Sequence, residues 1–415
     1  MKKIFVIALA SALGFSAIAQ ESKPTIEIHG FVRNYYAVDT REMVALTDDF
    51  FTYVPKDEVL LDNDDDQYSY ANFRFGALTS RLWVDVKNYE VDGLKVGGRI
   101  EGDFYNGLGN DKVTGTANFR LRQAFLTLSR AAWTLKAGQS WHPMAADMPD
   151  VFSLNTGAPF GPFSRTPLTQ FDYKLGDSFS LTSALLWQMQ YTSNGPDGKS
   201  AQYLKWACTP EFYFGANYKA DNLLLRAGLN VLSIKPRLYD NNGFLNDRVT
   251  TLIPFFYAQY AKDLFSVKFK TVYAQAGDHL NLNGGYGVSK VNSDGTWEYT
   301  ASRNSSSWLS LCYGKKAQAI LFAGYVKNFG TADALVSASQ YWFSGNSFDN
   351  MNQMYRLTPT FVYNLGRLAF GLEYELTSVQ YGDKAQGMNL KKGLYEEGLH
   401  WITNHRVQGL IKFTF

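Results

Sequence analysis

From Thr25 to Phe415 the chain repeats one unit, a run of about 9 to 14 residues in which apolar and polar side chains alternate, followed by a tight turn or a long polar segment. In Leu94-Lys95-Val96-Gly97-Gly98-Arg99-Ile100-Glu101-Gly102-Asp103-Phe104 the even positions are apolar or Gly, while the odd ones carry Lys95, Arg99, Glu101 and Asp103. A period of two is that of a strand with one apolar and one aqueous face. Short turns are expected at Glu90 to Gly93, Arg130 to Ala132, Gly176-Asp177, Ala220 to Asn222, Lys262-Asp263, Gly314 to Lys316 and Leu365 to Arg367. Longer segments fall between them, near 40 to 70, 106 to 117, 142 to 167, 192 to 203, 235 to 248, 276 to 301, 328 to 352 and 380 to 400. Strict alternation of eight long and seven short connections predicts sixteen strands with both termini at the short-turn end, an even number that closes without an unpaired edge. The fold class is therefore all-β, a sixteen-stranded antiparallel transmembrane barrel. Pro210, Pro254 and Pro359 each begin the same pattern ahead of a short turn and read as strand-edge or bulge devices.

Composition narrows the picture. The 415 residues are 46% hydrophobic and 16% aromatic but only 19% charged, too apolar for a disordered chain. Beyond the first twenty residues no apolar run approaches the roughly 18 that a membrane helix needs. Residues 1 to 19 have the parts of a secretory signal: Lys2 and Lys3, an apolar stretch from Ile4 to Ala10, and Ala17-Ile18-Ala19 before Gln20. Cleavage is expected near Ala19, which leaves residues 20–415 as one barrel domain. Cys208 and Cys312 are too few for a disulfide framework and read as small apolar wall residues, their pairing left open.

Removing Lys2 and Lys3 from 40 basic residues leaves 38 against 38 acidic, so nucleic-acid affinity is not supported. Position matters more than sum. The alternation turns sixteen basic residues inward (Arg33, Arg81, Lys87, Lys95, Arg99, Arg120, Arg122, Lys136, Lys174, Lys205, Arg226, Lys268, Lys270, Arg356, Arg406 and Lys412) against eight acidic ones (Glu27, Asp85, Glu101, Asp103, Asp172, Glu211, Glu373 and Glu375). An electropositive aqueous interior lowers the barrier for anions. Arg120 and Arg122, with Ala124 next on the same face, are the leading pair. The segment from His142 to Pro167 holds five of the 12 Pro together with Phe152, Phe160 and Phe163, a stiff aromatic composition that favours packing over solvation. Within it Asp147, Asp150 and Arg165 are expected to face the wall arginines across the lumen.

Other chemistry finds little support. None of His29, His142, His279, His400 and His405 sits in a hydrolase motif, so no enzyme, cofactor or metal is expected. Asp62-Asn63-Asp64-Asp65-Asp66 lacks the Gly and distal Glu of an EF-hand loop and reads as a solvated acidic segment.

The terminal strand Leu410-Ile411-Lys412-Phe413-Thr414-Phe415 ends in an aromatic residue and resembles that of the Gram-negative outer-membrane porins. The resemblance implies that the barrel-assembly machinery reads this terminus, that the segment after the fifth strand folds inward as a constriction, and that the protein is a homotrimer. Gly138-Gln139-Ser140-Trp141-His142-Pro143 and Arg120-Leu121-Arg122-Gln123-Ala124-Phe125 resemble the corresponding strands of DcaP-like porins, although the long first connection departs from that pattern. The expected function is passive diffusion of small hydrophilic solutes through an outer-membrane channel with some anion preference, its wall bathed in outer-membrane lipid. The alternative is an occluded barrel that binds a ligand or partner through its outer loops. Candidate pore residues are Arg33, Arg81, Arg99, Arg120, Arg122, Arg226, Lys268, Lys270, Arg406, Asp147, Asp150 and Arg165. The solute and the pore radius are not legible.

Overall fold

A computed structural model describes residues 22–46, 49–105, 117–343 and 348–415. The leader expected at residues 1–19 and most of the connection expected near 106 to 117 lie outside the described residues. Sixteen antiparallel strands form the wall: β1 (Thr25–Asp39), β2 (in two pieces, Asn72–Gly76 and Arg81–Val91), β3 (Leu94–Tyr105), β4 (Asn118–Arg130), β5 (Trp133–Trp141), β6 (Arg165–Lys174), β7 (Phe179–Leu186), β8 (Glu211–Ala220), β9 (Leu223–Ile234), β10 (Val249–Lys262), β11 (Phe265–Gln275), β12 (Trp297–Gly314), β13 (Ala317–Thr331), β14 (Met351–Leu365), β15 (Leu368–Tyr381) and β16 (His400–Thr414). Each pairs with its neighbours in sequence, and β1 pairs with β16 from Phe31↔Thr414 to Asp39↔Arg406, so the sheet closes. Closure leaves none of the sixteen strands with an unpaired edge, which is what a strand in hydrocarbon requires.

Turn chemistry sets the short end. Val91 pairs directly with Leu94, and Asp92 and Gly93 between them have φ of 52° and 72°, the left-handed pair that a two-residue hairpin needs. The side chains then sort by parity. Along β14, Tyr355, Leu357 and Phe361 are exposed while Met354, Arg356, Thr358 and Thr360 are buried. On the outer face Ile28 is 70% exposed, Phe75 66% and Phe119 60%, and a wall of such groups is stable only against an apolar solvent. No helix among the described residues is long and apolar enough to cross a membrane.

The apolar core lies inside the barrel. Residues 142–164 run inward from the end of β5, with Phe160 packed edge-on against Phe322, and Phe163 against Trp141 and Phe51. The first connection also folds in. Its hairpin, Met43–Leu46 paired with Phe51–Pro55, buries all five residues from Phe51 to Pro55, and the Tyr53 hydroxyl meets that of Tyr191 at 3.2 Å.

Three expectations need correction. Lys205 is not a wall residue, because it belongs to a short helix, Gln202–Ala207, in the connection between β7 and β8. Cys208 caps that helix and is exposed, whereas Cys312 is buried in β12, and both are free. No register shift falls at Pro254 or Pro359. Pro254 lies one residue before β10 begins to pair with β11, and Pro359 lies where β14 skips two pairings with β15, so the missing N–H coincides with an open stretch of ladder instead of a bulge.

Candidate functional site

Inside the barrel, between the 142–164 segment and the wall from β1 to β6, lies a cavity of about 660 Å³. Arg33, Arg81, Arg120, Arg122, Arg165 and Lys412 line it, among the rings of Phe31, Tyr35, Tyr105, Trp141, Phe163 and Tyr191, and among the described residues no carboxylate is in its lining. Parity explains most of the cluster. Arg33 on β1 pairs in register with Lys412 on β16, Phe31 with Arg81 on β2, and Asp103 with Arg120 on β3 and β4, so these side chains share the inward face at one level.

Arg122 arrives differently. Glu101 pairs with Gln123 and Gly102 with Leu121, which makes Arg122 the extra residue of a β-bulge. The bulge lets Arg122 and Gln123 both turn inward, where each is 5% exposed, and it moves Ala124 off the inward face expected of it.

Two buried carboxylates hold these like charges together. Asp103 accepts Arg120 Nε at 2.9 Å and Arg122 Nη1 at 2.8 Å. Glu101 accepts Arg122 Nε at 2.5 Å and Gln123 Nε2 at 2.9 Å, with Arg81 Nη1 at 3.4 Å. Arg33 instead donates to Thr79 Oγ1 at 2.8 Å, and Arg165 lies 4.7 Å over the Trp141 ring. Six cations against two carboxylates leave a formal excess of four positive charges (6 − 2) facing the cavity. Low-dielectric aromatic walls concentrate that field.

The acids of the inward segment meet wall cations across the lumen, one of them an arginine as expected, but not the arginines of this cluster. Asp147 lies 3.1 Å from Arg226 Nε, and Asp150 pairs with Lys268. These wall cations, with Lys270 donating to the Met144 carbonyl at 2.7 Å, clamp the segment to the barrel's other side. More bonds fix it there: Phe152 N–H to Glu373 at 3.0 Å, Asn155 Nδ2 to Glu375 at 2.9 Å, and Arg356 Nη1 to the Ala158 carbonyl at 2.9 Å. Arg165, expected to act from the segment, opens β6 and belongs to the arginine cluster itself.

Two candidates stand elsewhere. Arg99 grips Asp85 through Nε and Nη2 at 2.7 and 2.8 Å, toward the short-turn end. Arg406 is fully buried between Asp39 and the Asp49 carbonyl, each 3.1 Å from Nη1, and fastens the first connection. Glu27, His29 and Asp85 offer ligand atoms within 4.8 Å of one another, yet Lys87 and Arg99 already neutralise the two carboxylates, so the trio reads as a charge ladder. Sequence reasoning missed the contribution of the first connection. Phe50-Phe51-Thr52-Tyr53-Val54-Pro55, an apolar run within the long connection near 40 to 70, is the available signal.

Closed at sixteen strands, with short turns at one end, long connections at the other and an inward segment after the fifth strand, the barrel has the porin fold. Among solved structures it is similar to the outer membrane channel DcaP of Acinetobacter baumannii, at 18% identity over 94% of this chain and 97% of that one, with a TM-score of 0.67. It is also similar to an anion-selective porin from Comamonas acidovorans (14% identity, 95% and 100% of the two chains, TM-score 0.52) and to OmpF of Salmonella typhi (12%, 94% and 97%, TM-score 0.53). No sequence family and no curated protein matches the chain.

Proposed function

We propose that the protein is an outer-membrane porin through which small hydrophilic solutes, anions preferentially, diffuse down their gradient. The observation that carries this reading is the cavity whose lining, among the described residues, holds five guanidiniums and Lys412 and no carboxylate. Such a ring of fixed charge draws anions and repels cations in a narrow aqueous path. Arg81 Nε and Arg165 Nη1 are buried without an acceptor among the described residues, and a passing carboxylate or phosphate would supply one. The names of two similar structures, an outer membrane channel and an anion-selective porin, support the same reading. In this reading the leader is removed near Ala19, the assembly machinery inserts the barrel into outer-membrane lipid, and the mature protein forms a homotrimer, as the trimer form of Vibrio cholerae OmpT suggests. The wall supplies fixed charge and a size limit and performs no catalysis.

One observation favours the second reading, an occluded barrel that holds a ligand: two long connections fold into the lumen. Purified protein in a planar bilayer separates the two. A porin conducts and, in a salt gradient, its reversal potential lies on the anion side. Absence of current at any voltage would leave the occluded barrel.

A further inference from the structure

Away from the arginine cavity, titratable side chains meet where two of the long connections dock on the wall. Glu211, at the start of β8, is the hub. Its Oε1 accepts from His142 Nε2 at 3.3 Å, from His279 Nε2 at 3.2 Å and from Asn230 Nδ2 on β9 at 2.8 Å. His142 opens the inward segment, and His279 lies in a single helical turn, Gly277–Leu280, after β11. Asp278 beside it accepts the Asn194 backbone N–H at 2.6 Å, from the connection between β7 and β8. All five side chains are buried, none more than 3% exposed. The two connections also join directly, because Phe163 N–H donates to the Leu280 carbonyl at 2.9 Å.

The hydrogen bonds assign the protons. His142 Nδ1 accepts the Met144 N–H at 3.2 Å, so the proton of this ring sits on Nε2 and the imidazole is neutral. The charge that balances buried Glu211 must then come from His279. We propose that Asp278 and His279 form a proton-operated latch, which fastens the inward segment at mildly acidic pH and releases it as pH rises.

Every charged or titratable neighbour bears on the direction. Burial disfavours the His279 imidazolium, but the charge and hydrogen bond of Glu211, with help from Asp278 and the Ala276 backbone, outweigh it and raise the pKa above the ordinary histidine value. Burial pushes Asp278 up to about 6, against the opposing pull of His279, the Asn194 N–H and Lys199. Tyr286 and Tyr213 complete the surroundings as neutral rings. Both folded-state values lie above the free ones, so both groups favour the docked arrangement when protonated. The Asp278 contribution is lost as pH rises through about 6, and that of His279 at higher pH, through its raised pKa. Acid fastens the latch and base loosens it.

Amide hydrogen exchange on the assembled barrel, corrected for intrinsic rates, tests the latch. Between pH 6 and 8.5, protection at Met144 and Phe163 should fall by roughly three- to tenfold. Amides at the centre of β14 should not change. His279→Gln keeps a donor toward Glu211 without titrating and should remove most of the response in this window, because Asp278 titrates at its lower edge, while the pair His279→Gln and Asp278→Asn should flatten the remainder. Flat protection in the wild type, or an unchanged slope in His279→Gln, would overturn the proposal. The consequence for flux, higher conductance at alkaline pH, rests on the porin reading, whereas the exchange result does not. A barrel that carries no current yet shows the pH-dependent protection would retain the latch and lose the channel.

Discussion

Residues that look equivalent along β4 have different duties. Arg122 bridges Glu101 and Asp103 below solvent reach, whereas Arg33 and Lys412 touch no carboxylate among the described residues. Removing one partner of a buried ion pair costs about 3–5 kcal/mol, because the other charge is stranded. Arg122→Ala should therefore lower the thermal stability of the barrel, read as an earlier loss of its compact form on unheated gels. Replacing Arg33 and Lys412 together by Gln removes two positive charges from the cavity and leaves both buried carboxylates paired. That variant should assemble normally and shift the reversal potential toward cations. The reverse pattern would mean that the conducting path avoids the cavity. Converting Arg120 and Arg122 to Glu, the test that the alternation alone recommends, would place two new acids against Glu101 and Asp103 and should abolish assembly.

At the scale of elements, the inward segments occupy the lumen cooperatively. Phe163 packs on Phe51 of the first hairpin, and Tyr53 of that hairpin reaches Tyr191 in the connection after β7. Replacing residues 145–162 by a short Gly-Ser bridge should raise single-channel conductance and leave the sixteen strands intact by circular dichroism. Removing the 43–55 hairpin as well should raise it further. An equal conductance in the two deletions would place the first hairpin outside the conducting path. The seat of the segment is also specific: at Gly324 a Cβ atom would lie 2.5 Å from the Phe160 ring. Gly324→Val should unseat Phe160 and mimic part of the deletion.

The whole molecule depends on closing β1 against β16. Gly30 N–H donates to the Phe415 carbonyl at 3.1 Å, and Phe415 N–H donates to the Gly30 carbonyl at 2.9 Å. The Phe415 ring covers Gly30 on the outer face, where an added Cβ would meet the ring at 2.5 Å and the Arg81 carbonyl at 2.8 Å. Gly30→Val and deletion of Phe415 should each reduce the assembled fraction in membranes, the first by sterics at the seam and the second by loss of its last two hydrogen bonds. Unchanged assembly in both would show that the seam needs no specific terminus.

Much of the architecture was legible in the chain. Parity of apolar and polar residues has a period of two wherever one face meets lipid and the other does not, so strand number, turn positions and the inward faces of Arg33, Arg81 and Arg120 follow from local pattern alone. The proline and phenylalanine content of the segment after β5 marked it as one that packs, and the porin resemblance supplied the inward direction. Pairing partners did not. Which acid meets which base depends on register, on the bulge at Arg122 and on connections that return to the lumen from far along the chain, as Arg406 finds Asp39 and Lys268 finds Asp150. Periodicity fixes the face of a side chain but not the distance across a closed barrel. The sequence by itself determined a sixteen-stranded wall with a basic interior, and only the tertiary structure decided that Asp147 and Asp150 are spent on fastening the inward segment while Glu101 and Asp103 hold the arginines of β3 and β4 together at the cavity.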